Sequence, residues 1–131
     1  MITAKLNNYR QAPRKVRLVT DTVRGKNAIV ALNHLTFVAK KASNPIKKLL
    51  ESAIANATHN FNIKPENLFI KSISVNQGAI IKRSMPRARG RAFPIHKHTS
   101  HIHLVLAEKG ETVAKAKVAK KVVKEVTAKK K

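Results

Sequence analysis

The sequence predicts an α+β fold: a three-stranded antiparallel sheet covered by three helices, with one long projecting β-hairpin and a disordered basic C-terminal tail. Three observations carry this reading. Apolar residues recur at helical spacing as far as Ala57, and Ile102, Leu104 and Leu106 alternate strictly with His101, His103 and Val105. Between these regions, two extended arms, Gly78–Met85 and Ala92–His103, flank the turn signal Pro86-Arg-Ala-Arg-Gly90. Helical patterning first and strand patterning afterwards is the order expected of helices laid on an antiparallel sheet. The length suits one domain, residues 1–108 with the extended hairpin at about 78–100, followed by a Lys/Ala/Val-rich extension, 109–131.

Taken in order, residues 2–8 place Ile2, Ala4 and Leu6 in phase, a pattern for an edge or joining strand. Pro13 then opens a helix that Gly25 closes, with Val16, Leu18, Val19 and Val23 as its apolar stripe. Arg14, Lys15, Arg17 and Arg24 are left for its other faces, and Arg10 and Lys26 flank it. With only Asp21 nearby as a counter-charge, phosphate contact is a better account of these six cations than a solvated basic face. Asn27 caps a second, shorter helix in which Ala28, Ala31, Leu32 and Leu35 line one side.

The third helix has the clearest pattern. Ile46, Leu49, Leu50, Ala53, Ile54 and Ala57 form one core-facing stripe, and Pro45 sits in the first turn, where it is tolerated. Lys47, Lys48 and Glu51 occupy the opposite face, and Ala53, Ala55 and Ala57 predict close approach to the sheet as its main covering layer. Asn56, His59 and Asn60 fit either a helix cap or an RNA contact.

Leu68–Val75 is rich in strand formers but slips phase, Leu68 and Ile70 on one face and Ile73 and Val75 on the other. A bulge or strong twist near Ser72 reconciles the two halves. Beyond it lies the basic arm. Lys82, Arg83, Arg87, Arg89, Arg91 and Lys97 fall in sixteen residues without an acid, interleaved with Met85, Phe93 and Ile95. In an extended chain Arg87, Arg89 and Arg91 would share one side. Arms of this length carry the tip roughly 25 Å beyond the sheet, and a bare hairpin so long is not stable alone. A polyanion around it supplies what it lacks; the bland alternative is a solvated basic loop.

Composition agrees. Lys+Arg 28 against Asp+Glu 6 gives a net charge of +22, which would repel itself in a compact fold lacking counter-charge. Aromatic residues are only 4% of the chain, so contacts to phosphate and shape outweigh base stacking. Cysteine is absent, which removes disulfides, thiolate zinc sites and thiol catalysis. No apolar run suits a membrane span and the N-terminus lacks a signal-peptide pattern. His96, His98, His101 and His103 offer two His-x-His pairs, but no third ligand is evident, so they are read as RNA-facing imidazoles rather than a metal site. The scattered acids Asp21, Glu51, Glu66, Glu108, Glu111 and Glu125 form no catalytic pair, and no glycine-rich nucleotide loop exists. Neither an enzyme nor a cofactor is expected. The tail from Lys109 to Lys131, with nine lysines and two glutamates, reads as a disordered extension that becomes helical on RNA.

The run Lys82-(four residues)-Arg87-Ala-Arg-Gly90-Arg91-(nine residues)-His101-Ile-His-Leu104-Val-Leu106 resembles the signature of the bacterial-type large-subunit ribosomal protein L22 family, uL22. Lys15-Val-Arg-Leu-Val19, Val23-Arg-Gly-Lys26, Glu51–Ala57 and His59-Asn60 resemble further family segments in the same order. The resemblance covers residues 1–108 and implies a structural, non-enzymatic protein of the large subunit. It implies binding to 23S-type rRNA, contact with neighbouring ribosomal proteins, help in subunit assembly, and a hairpin that lines the nascent-peptide tunnel. Carried over by position, Lys82, Arg83, Arg87, Arg89, Arg91 and Lys97 are hairpin contacts to RNA; His98, outside the family signature, and Arg10, Arg14, Lys15, Arg17, Arg24 and Lys26 of the globular part are expected contacts from their own charge and placement. No membrane is implied; the location is a cytoplasmic ribosome, with an organellar one left open. Two readings compete: a general nucleic-acid-condensing polycation, suggested by the linker-histone-like tail, and a metal hydrolase built on the histidine pairs.

Overall fold

In the computed structural model residues 2–109 are described, so the expected disordered tail lies, past Lys109, outside the described residues. Strand β1 (Ile2–Tyr9) leads into helices α1 (Pro13–Val23), α2 (Ala28–Phe37) and α3 (Ser43–Phe61). A short 3-10 turn, Pro65–Asn67, then opens β2 (Leu68–Pro86), which returns as β3 (Ala92–Glu108). The sheet has the order β1-β3-β2 with both pairings antiparallel, so β3 is its centre and β2 an outer edge. This is the α+β arrangement the patterning predicts.

The core forms between one face of the sheet and the helices. Ile102, Leu104 and Leu106 of β3 lie buried between Ile2 and Ala4 of β1 and Leu68, Ile70, Ile73 and Val75 of β2. The phase slip in β2 is resolved by a bulge at Lys71: Ile70 pairs with Leu106, but Ser72 pairs with the very next partner, Val105. One extra residue turns Ile73 and Val75 back to the core face, as the sequence pattern requires.

Helix ends follow local chemistry. Pro13 stands at the first turn of α1, the Asn27 side chain accepts the Ile29 N–H at 3.1 Å to cap α2, and Asn62 adopts the left-handed conformation that ends α3, with the Ile63 N–H reaching the Ala57 carbonyl at 3.4 Å. Two expectations need correction. Leu18 is 67% exposed; the buried stripe of α1 is Val16, Val19, Thr20 and Val23, the i, i+3, i+4, i+7 set from which Leu18 points away. Ala55 is exposed, because it lies on the opposite side of α3 from Ala53 and Ala57. As expected, α3 is the main helical cover of the sheet, packing on β1 and β3 and also against α2, while α1 covers β2 and part of β3.

The outer edge of β2 is closed by the chain that follows α1. Gly25 N–H donates to the Ile70 carbonyl at 3.2 Å and Ile70 N–H to the Lys26 carbonyl at 3.0 Å. Farther along, Arg24 Nη2 donates to the Ile73 carbonyl at 3.3 Å, and Arg17 donates to the Val75 carbonyl. Unpaired edge carbonyls are thereby satisfied and shielded from another strand.

Candidate nucleic-acid interface

The hairpin leaves the sheet through two irregularities at the same level. In β1 the register shifts between Leu6 and Tyr9, where Asn8 takes a positive φ of 55° and donates its N–H to Nδ1 of His101 at 3.2 Å. In β2 it shifts between Gln77 and Ile80. There the Thr99 hydroxyl donates to the Ala79 carbonyl at 2.6 Å, and a Cβ on Gly78 would stand 2.5 Å from that hydroxyl and 2.8 Å from Nε2 of His101. Only glycine fits between two side chains so fixed. Past this level β1 is gone and β2 and β3 continue as a two-stranded ribbon from Ile80–His98 to Pro86–Ala92.

Every residue from Lys82 to His98 is exposed, including all seven expected hairpin contacts: Lys82, Arg83, Arg87, Arg89, Arg91, Lys97 and His98. Cross-strand pairing sorts them. Ile81–Lys97, Arg83–Ile95 and Met85–Phe93 share one face, while Ile80–His98, Lys82–His96 and Ser84–Pro94 share the other. Met85, Phe93, Pro94 and Ile95 line a shallow apolar cleft beside Arg87. At the tip the even spacing of the arginines does not put them on one side. Ala88–Gly90 is a 3-10 turn with Arg89 at φ 62° and Gly90 at φ 66°, closed by the Arg87 N–H on the Arg91 carbonyl at 2.8 Å. The chain must reverse here, so Arg87 and Arg91 flank the turn and Arg89 forms its apex.

The cations of the globular part divide into three sets. Arg17 and Arg24 are engaged by the β2 edge, and Arg24 also pairs with Asp21 at 3.1 Å, the one ion pair among the described residues. Arg14 is exposed on α1, and Lys26 is half-buried beside the β2 edge that its carbonyl joins. Arg10 and Lys15 instead meet the hairpin: with Lys41, Arg83 and Lys97 they line a recess of about 400 Å³ completed by Gln11, Ala12, Ile81 and Thr99. No carboxylate lines it. Lys41, in the loop between α2 and α3, escaped the sequence reading; its signal was the Lys40-Lys41 pair outside any apolar stripe.

Asn56, His59 and Asn60 are exposed near the end of α3, His59 Nδ1 within 3.3 Å of Asn60 Oδ1, while the cap itself is Asn62. The four later histidines divide by strand alternation. His96 and His98 lie on one face of β3, His101 and His103 on the other, and His101 Nδ1 is engaged by Asn8. Among the described residues no three metal-ligating side chains converge, and no helix is long and apolar enough to cross a membrane.

Comparison with known proteins assigns the chain to a family. A profile of the family described as Ribosomal protein L22p/L17e matches residues 4–107. The large ribosomal subunit protein uL22 of Acholeplasma laidlawii is 54% identical over 100 residues, 76% of this chain and 90% of that protein. The uL22 of Lactobacillus gasseri is 47% identical over 108 residues, covering 82% and 92% of the two chains. That of Herpetosiphon aurantiacus is 48% identical over 110 residues, covering 84% and 96%. The matched span takes in the sheet, the three helices and the whole hairpin, and the chain belongs to the bacterial-type uL22 family of structural, non-enzymatic ribosomal proteins.

Proposed function

We propose that this constituent of the cytoplasmic large ribosomal subunit binds 23S-type rRNA through its hairpin and the adjoining face of the globular part, supports subunit assembly, and lines the nascent-peptide exit tunnel with the hairpin tip. In this reading residues 1–108 are the working domain and 109–131 an extension. The partners are rRNA, neighbouring ribosomal proteins and the nascent peptide.

The observation that supports it best is the ribbon itself. Two strands project past the end of β1, exposed from Lys82 to His98, with six basic residues from Lys82 to Lys97 and no acid. A solitary ribbon has no core of its own, so it is built to be surrounded. Guanidinium groups suit a narrow RNA passage because they bind phosphate in a bidentate fashion and stack on bases. Exposure of the cations also separates this role from folding. Replacing Arg87, Arg89 and Arg91 together by alanine is expected to leave the thermal melt of the chain unchanged while removing hairpin protections from a chemical footprint on large-subunit rRNA. A variant that unfolds, or an unchanged footprint, contradicts the proposal.

A further inference from the structure

We infer that the recess at the root of the hairpin is a built site for neighbouring phosphates of an RNA backbone, clamped between the body and the arm. The inference rests on the rRNA-binding reading and names the ligand chemistry of one part of that surface. Its five cations come from five separate chain segments: Arg10 from the β1–α1 loop, Lys15 from α1, Lys41 from the α2–α3 loop, Arg83 from β2 and Lys97 from β3. A solvated basic face spreads its charges over convex surface. Here they converge on one concavity of about 400 Å³.

Neutral hydrogen bonds hold the repelling groups in place. Tyr9 Oη donates to Oε1 of Gln11 at 2.7 Å and also stands 3.3 Å from the Lys41 carbonyl. The Ser100 hydroxyl donates to the Gln11 carbonyl. These contacts tie the β1–α1 loop to β3 and the α2–α3 loop to Tyr9 at the end of β1, without contributing any negative charge. A concave, uniformly positive site focuses potential and concentrates an anion. Its wall is continuous with the hairpin through Arg83 and Lys97, so the strand that follows the arm passes through it; this favours RNA over an acidic segment of a neighbouring protein.

The test measures binding of the full chain to large-subunit rRNA across a salt series, for wild type, Lys41→Gln, Lys97→Gln, the double variant, and Lys71→Gln as an exposed lysine outside the recess. Each recess variant is expected to weaken binding about tenfold and to lower the slope of log K against log salt by about one contact. The double variant is expected to lose less than the product of the single losses, because both lysines address the same phosphates. Lys71→Gln should stay within about twofold. Recess variants that match Lys71→Gln overturn the site. If they also lose a neighbouring ribosomal protein from reconstituted subunits, the recess holds an acidic protein segment instead. Failure of the wild type to prefer large-subunit rRNA over an unrelated RNA of equal length would overturn the underlying reading itself, and that shows before any variant is compared.

Discussion

Arg17 on α1 donates twice to the carbonyl oxygen of Val75, through Nε at 3.2 Å and Nη2 at 2.9 Å, at the outer edge of β2 just before that strand leaves the body for the hairpin. The contact ties the first helix to the sheet where the sheet has no further strand to satisfy it. A charged donor on a backbone acceptor contributes more than a neutral pair, though partial exposure weakens it. Arg17→Met keeps much of the aliphatic stem and removes the bonds. It is expected to cost about 1 kcal/mol, read as a lower urea midpoint at unchanged slope; an unchanged midpoint would show that the staple carries no stability.

Gly78 is the tightest backbone position at the hairpin root. Its would-be Cβ meets the Thr99 hydroxyl and the His101 ring, and neither is a loose chain end: one is bonded to the Ala79 carbonyl, the other to the Asn8 N–H. Gly78→Ala is therefore expected to destabilise the fold by ~1–3 kcal/mol, as overpacking does. Thr99→Ala in the same chain removes the nearer clash and should recover part of the loss. A Gly78→Ala variant as stable as wild type would mean that the two strands can slide apart freely at this level.

Burial pushes the Tyr9 hydroxyl above its ordinary pKa, so the folded state favours the protonated phenol. The stability linked to that proton is fully present below about pH 10, the unfolded value, and is lost as pH rises through the higher folded value. Tyr9→Phe removes the donor to Gln11 and should cost about 1 kcal/mol at neutral pH. Lysine titration is common to both chains, so the variant should lose less stability than wild type between neutral and strongly alkaline pH. Parallel curves from melts over that range would contradict the assignment.

Much of this fold was legible because periodicity and burial coincide. The stripe Ile46, Leu49, Leu50, Ala53 and Ala57, the cap at Asn27 and the phase slip that became the Lys71 bulge all follow from local pattern. Errors arose where a residue type was read without its angle: Leu18 is apolar but points away from Val16 and Val19, and Ala55 is small but lies opposite Ala53. The arginine ladder failed for a related reason, since the chain reverses through Arg89 and alternation ends where the turn begins. The recess was not legible at all. Arg10, Lys41 and Lys97 are far apart in sequence, and only the tethering of one loop to β3 and of the other to Tyr9 brings them together.

The central claim is that the arm is held by shape, surrounded by folded RNA, and not by charge alone. Sedimentation of the tagged chain from lysate, before and after a high-salt wash, tests it most directly. Purely electrostatic binding through six to ten phosphates falls by about three to five orders of magnitude between 50 and 200 mM salt. The account predicts that the chain stays with the large subunit after the wash. Release into the supernatant, or even spread over all nucleic acid, would contradict it.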